Sequence, residues 1–287
     1  MEIIRAKVYG YCMGVERAIK KTFHELEIHS TKKIVTLGPL IHNPHTLAKL
    51  SEKGAAVIKK PEDILDPENT IVIIRAHGVP PQLEKDISAR GAVLIDATCP
   101  KVHLSQKKAQ AYWNSGYKVI IVGEKEHSEM TGILGYAPEA VIVKDLEEAV
   151  NEAKHIAENC GVMTKTVLLA QTTYSESRFE MIVSALRDIL PSLEVEYTIC
   201  KATKERQEAL YELCKIVDAV LVIGGKESAN TKRLKTLAEE QGVPTWLIEN
   251  EREIPQEIYQ FDRVGLTAGA STPAEVIDTI ETVLRTS

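Results

Sequence analysis

The sequence predicts an α/β protein of three pseudo-equivalent domains, with mainly parallel sheets arranged with pseudo-threefold symmetry around a central site. Three observations predict it. A strand–cysteine–helix corner occurs three times: EIIRAKVYGYC ends at Cys12, AVLIDATC at Cys99 and EVEYTIC at Cys200. Short apolar runs alternate with amphipathic helical stretches, the pattern of parallel sheets buried on both faces. Polar side chains recur at matching offsets after those runs, at the strand ends where open α/β sheets bind ligands.

The elements follow in order. An N-terminal strand over residues 2–10 delivers Cys12, and MGVERAIKKTFHELE reads as the helix behind it. The first unit continues with the strand KIVTLG, a short helix LAKLSEKG and the short strand AAVIK. A charged stretch follows, then the strand TIVIIRAHG and the helix PPQLEKDISARG. AVLIDATC delivers Cys99 and the helix PKVHLSQKKAQAYW. The second unit then runs YKVIIVG, AVIVK, a charged helical stretch, TVLLAQTT and SRFEMIVSALRDIL. EVEYTIC delivers Cys200 and the helix KATKERQEALYELC. The third unit runs DAVLVIG, the short helix LKTLAEEQG, PTWLIE, RVGLTAGAST and PAEVIDTIETVLR. A short helix after the first strand is expected in the first and third units only. The third unit has no closing strand, and the N-terminal strand is the spare piece that completes it. The expected domains are 13–98, 99–199 and 200–287, the last completed by 1–12.

Composition narrows the function. Hydrophobic content of 44% and charged content of 26% suit a globular chain, and the longest apolar runs are strand-sized, so no membrane span is expected. The start, MEIIRAKVYG, lacks a signal or transit pattern, which places the protein in the cytoplasm. A net charge of −6 with mixed signs, and 5% aromatics, argues against nucleic acid as a partner. Five cysteines in a cytosolic chain read as metal-binding, catalytic or core thiols rather than disulfides.

A buried cysteine is more often a small core residue than a ligand. That reading is given to Cys214, inside an amphipathic helix, and Cys160, in a turn context, is also read as structural. Cys12, Cys99 and Cys200 differ because each ends a strand in equivalent context. His42, His127 and Ser228 each lie four residues beyond the glycine that ends a strand (Gly38, Gly123, Gly224). His77, Thr172 and Ser271 end the next long strands within one residue of equivalence. The run HELEIH looks like a zinc-protease motif, but five-residue spacing sets His24 and His29 about 140° apart on a helix, so they cannot chelate together. Three thiolates suit zinc with an open fourth position or an iron–sulfur cluster with one iron lacking a protein ligand. No G-x-G-x-x-G or P-loop is present, so electrons for a redox centre would come from a separate protein carrier. A zinc-dependent hydrolase and a cluster-bearing binding protein for a phosphorylated metabolite remain alternatives.

The stretches GYCMGVERA, TLGPLIHNP, IIRAHGVPP, DATCPKV, VGEKEHSEMTGILGY, AQTT, TICKAT, GGKESANTKRL and AGASTP together resemble the 4-hydroxy-3-methylbut-2-enyl diphosphate reductase (LytB) family from end to end. The resemblance implies a central [4Fe–4S] cluster held by Cys12, Cys99 and Cys200, with one open iron site that takes the substrate alcohol. It implies a diphosphate site at His42, His77, His127, Ser228, Ala229, Asn230 and Ser271. It makes Glu129 the proton source and Thr172 a contact to the alcohol end. The implied reaction is two-electron reductive dehydroxylation of an allylic diphosphate to isopentenyl and dimethylallyl diphosphate, with a flavodoxin or ferredoxin as electron carrier. Two residues depart from the family pattern. Ala229 replaces a serine, which leaves only its backbone amide, and Ser128 replaces a proline, which loosens a turn.

Overall fold

The computed structural model describes residues 1–286, so the final residue of the expected third unit, Ser287, lies outside them. The chain enters as β1 (Glu2–Arg5) and α1 (Met13–Ile28). It continues through β2 (Lys33–Leu37), α2 (Pro44–Glu52), β3 (Ala56–Ile58), β4 (Thr70–Ile74), α3 (Pro81–Ala89) and β5 (Val93–Asp96). The second set is α4 (Pro100–Asn114), β6 (Lys118–Val122), α5 (Ser128–Leu134), β7 (Val141–Val143), α6 (Leu146–Cys160), β8 (Thr166–Ala170), α7 (Glu176–Ile189) and β9 (Glu194–Val195). The third is α8 (Lys201–Cys214), β10 (Ala219–Ile223), α9 (Ala229–Glu240), β11 (Thr245–Ile248), β12 (Arg263–Ala268) and α10 (Ala274–Thr286).

These strands form three four-stranded sheets in the orders β3-β2-β4-β5, β7-β6-β8-β9 and β11-β10-β12-β1, with every pairing parallel. β1 therefore holds, against β12, the place that β5 and β9 hold against β4 and β8. The spare N-terminal strand does complete the third sheet. Arg5 secures it by pairing with Asp278 and Glu281 of α10.

Each sheet is covered on both faces. The first, for example, has Ile71 and Ile73 of β4 in one apolar cluster and Val72 and Ile74 in another. All residues of β4, β8 and β10 are buried. This is why those segments read as continuous apolar runs, each buried Ile, Leu or Val contributing about 1.5–3 kcal/mol. None of the described helices is long and apolar enough to cross a membrane.

Three expectations need correction. The N-terminal strand stops at Arg5 rather than residue 10, because Gly10 turns with φ of +80° and the chain must leave β12 to reach α1. Neither the cysteines nor His77, Thr172 and Ser271 end strands; the last three lie two or three positions past β4, β8 and β12. Each cysteine is the residue immediately before a helix, three to seven positions past its strand. The second unit also has a short helix, α5, that the sequence pattern hides. It is seven residues long and shows only Met130, Ile133 and Leu134 as periodic apolar positions, too few to mark a helix.

Candidate active site

One cavity is lined by all twelve residues singled out in the sequence: Cys12, His42, His77, Cys99, His127, Glu129, Thr172, Cys200, Ser228, Ala229, Asn230 and Ser271. The cysteines make one end of it. Cys12, Cys99 and Cys200 are the N-cap residues of α1, α4 and α8. Their backbone amides are held alike: Cys12 N–H donates to Ala270 O, Cys99 N–H to Ala76 O and Cys200 N–H to Thr172 O, each at 2.9 Å. Three free thiols therefore sit at three helix N-termini. Close approach of the corners depends on Gly14, since a Cβ there would lie 2.4 Å from the Cys99 sulfur. Burial pushes the Cys99 thiol up, against the amides of Lys101 and Val102, and the neighbouring thiols Cys12 and Cys200 push it further.

Three imidazoles, one hydroxyl-rich turn and a carboxamide make the other end. The rings of His42 and His77 are 4.9 Å apart between centroids, His77 and His127 5.2 Å, and His42 and His127 6.2 Å. Burial lowers the pKa of all three, helped at His42 by Arg75 and at His127 by His42; His127 is pushed down to about 4. They are neutral donors at pH 7. The Nδ1 of His127 accepts from Glu129 N–H at 3.2 Å, so the proton of the neutral ring is on Nε2, leaving it a donor. His77 Nδ1 and Asn230 Nδ2 are buried without hydrogen-bond partners. Such atoms cost roughly 1–3 kcal/mol each until a ligand pairs them. Ser228 caps α9, while Ser271 donates to His42 O at 3.2 Å, across from the first unit to the third. A neighbouring cavity that shares His42 and His127 carries Arg75 and Lys232 together with Glu124, Glu126 and Glu227. This arrangement of donors and helix N-termini fits a polyanion such as a diphosphate. The ring nitrogens of the three histidines lie within 4.8 Å of one another, so this cluster could also be taken for a metal site.

Glu129 sits between the two ends. It is the second residue of α5, 1% exposed, and its carboxylate accepts from Thr172 N–H at 2.8 Å and Thr172 Oγ1–H at 2.7 Å. Burial raises its pKa to about 7 despite both bonds. It is thus a carboxyl group poised to release a proton near neutrality. Ala229, 5% exposed, opens α9 beside Asn230; Ser128 opens α5, and its Oγ is buried without a partner.

Other cavity residues escaped the sequence reading. Val15, Val102 and Thr203 all line it, each three residues after a cysteine. The repeat carried that signal, but two of the three are valines, and apolar residues on a helix read as core. Lys101 also lines the cavity beside Cys99. The cysteines left out of the site do stand apart: Cys214 is half-buried against the apolar cluster under α8, and Cys160 is exposed at the end of α6 rather than in a turn.

With this geometry in hand, the relatives are informative. Residues 3–285 match the LytB protein family. The chain belongs to the LytB family. A LytB relative from Treponema denticola, a 4-hydroxy-3-methylbut-2-enyl diphosphate reductase, is 43% identical over 98% of both chains. One of the same name from Treponema pallidum is 39% identical over 99% of this chain and 83% of its own. Two solved LytB structures share the architecture. The Plasmodium falciparum reductase superposes with a TM-score of 0.91 at 29% identity, covering 99% of this chain and 87% of that one. A structure described as the terminal enzyme of the non-mevalonate pathway gives a TM-score of 0.70 at 35% identity, with full coverage of both chains.

Proposed function

We propose that this chain is a 4-hydroxy-3-methylbut-2-enyl diphosphate reductase, which removes the allylic hydroxyl with two electrons and yields isopentenyl and dimethylallyl diphosphate. The observation that carries the reading is the order of groups along one cavity: three thiols, then a buried acid with a pKa of about 7, then a cluster of neutral donors. The family name of its relatives supports the substrate.

The thiols fit a four-iron, four-sulfur cluster. They are three soft donors on helix N-termini, packed so closely that only glycine fits at position 14, and among the described residues no fourth cysteine lines the cavity. Cys12, Cys99 and Cys200 would hold the cluster, which supplies single electrons and one iron with Lewis acidity. The imidazoles, with Ser228, Asn230, Ser271 and the amide of Ala229, hold the diphosphate, and in doing so give the unpartnered His77 and Asn230 atoms their hydrogen bonds. The reduction takes up two protons with the two electrons, one leaving with the hydroxyl as water and one bound at the allyl carbon, and Glu129, recharged from solvent between the two, delivers them. Thr172 Oγ1, already hydrogen-bonded to that carboxyl, orients the alcohol end and can pass the proton on. We assign three domains, 13–98, 99–199 and 200–287 with 1–12. Electrons arrive from a flavodoxin or ferredoxin in the cytoplasm.

Anaerobic purification followed by iron, sulfide and zinc analysis tests the reading. The expected result is about four irons and four acid-labile sulfides per chain, with broad visible absorbance. Stoichiometric zinc without sulfide would overturn it in favour of a zinc hydrolase.

A further inference from the structure

Arg206 lies on α8, six residues after Cys200, and is 3% exposed. Burying a guanidinium is costly unless a carboxylate accompanies it. Among the described residues none forms an ion pair with Arg206. Instead Nη2–H donates to Gly10 O at 2.7 Å, Nη1–H donates to Ala202 O at 2.9 Å, and Nε–H has no partner. Gly10 precedes Cys12 by two residues, and Ala202 follows Cys200 by two. The side chain therefore ties the loop that carries one thiol to the helix that carries another. Burial lowers its pKa, and the charges that favour its cation are first Cys12 and Cys200, with Glu205 behind them.

The repeat supplies an internal control. The positions six residues after Cys12 and Cys99 hold Ala18 and Ser105, both buried in the same place on their helices. The fold accepts a small neutral residue there twice, so packing behind a cysteine helix does not demand arginine. A cation at one position of three, beside two thiols and with a free N–H, points to a task at the thiol centre.

We propose that Arg206 is a positioning residue for the redox centre held by Cys12, Cys99 and Cys200: it fixes the first and third cysteines relative to each other, and its charge raises the centre's reduction potential. A buried positive charge stabilises the more negative, reduced state of a thiolate–sulfide centre, and a hydrogen bond to sulfur acts in the same direction. The inference rests on the iron–sulfur reading above.

The test is a redox titration of anaerobically purified holoenzyme, followed by electron paramagnetic resonance, alongside iron and sulfide analysis. Arg206→Gln keeps hydrogen-bonding capacity and removes the charge, so its midpoint should move to a more negative potential. Arg206→Lys keeps the charge, so its midpoint should stay with the wild type. A wild-type midpoint in Arg206→Gln overturns the proposal, as does an equal shift in both variants. If Arg206→Gln holds no iron, Arg206→Lys decides. Full iron content and an unchanged midpoint support the charge role, and loss of iron or a shifted midpoint overturns it. A wild-type chain lacking acid-labile sulfide would instead sink the iron–sulfur reading itself, and this inference with it.

Discussion

Glu129 shows how a single side chain acquires a role from its surroundings. In the sequence it is one of 41 acidic residues, within a His-Ser-Glu run that means little by itself. The fold removes it from water and pairs it with Thr172, and burial wins over the two hydrogen bonds. The native state keeps this proton up to about pH 7, whereas an unfolded chain releases it near the ordinary glutamate pKa of ~4.3. Between those values the folded protein binds the extra proton. The stabilisation is therefore complete below pH ~4, and it is lost as pH rises towards 7, by a few kcal/mol at most. Glu129→Gln should remove this part of the pH dependence, measured as denaturant stability from pH 5 to 8. Its turnover should fall by a factor of ~10² or more while pyrophosphate still binds. Wild-type turnover should decline above pH 7 as the acid form disappears; unchanged turnover in the variant would take the proton role from Glu129.

At the scale of elements, the site is made by corners that touch, and two glycines permit the contacts. Gly14 in α1 lies against Cys99, and Gly225, in the loop from β10 to α9, lies against the backbone after β2. A Cβ on Gly225 would sit 2.3 Å from His42 O, a backbone atom that cannot swing aside. The two substitutions should therefore separate the two ends of the cavity. Gly225→Ala should weaken inorganic pyrophosphate binding about tenfold or more, by calorimetry, with iron content intact. Gly14→Ala should lose iron. Spacing made much of this level legible: the glycine-plus-four positions and the ends of β4, β8 and β12 do converge. The strand EVEYTIC was legible, though only Glu194–Val195 of it pairs as β9. The short helix α5 was not, because seven residues are too few for a period to emerge and it is stabilised by packing against neighbours rather than by local preference.

At the scale of the whole molecule, the third sheet draws on both ends of the sequence. β1 pairs with β12, and α10 reaches back through Glu281 to Arg5 and through Arg285 Nη2–H to Ile3 O. A permuted chain with residues 286 and 1 joined by a short Gly/Ser linker, opened in the exposed turn after α6 near Gly161, should fold with near wild-type iron content. Deleting residues 1–5 should leave the β12 edge unpaired, lower the melting temperature and release iron, since Cys12 loses its anchor. Circular dichroism melts and iron analysis check both.

What the sequence alone determined is the repeat: three parallel sheets, three corner cysteines, polar residues at fixed offsets, and the N-terminal strand as the missing piece. Those features are local or periodic, and apolar runs that must be buried on both faces announce themselves wherever they occur. Tertiary structure alone decided which groups touch. It set the cysteines as helix caps rather than strand ends, buried Glu129 against Thr172, kept three histidines neutral in one cluster and tied Arg206 to the loop before Cys12 and the helix after Cys200. Such outcomes depend on desolvation and on contacts between residues up to about two hundred positions apart, and no window of sequence contains either.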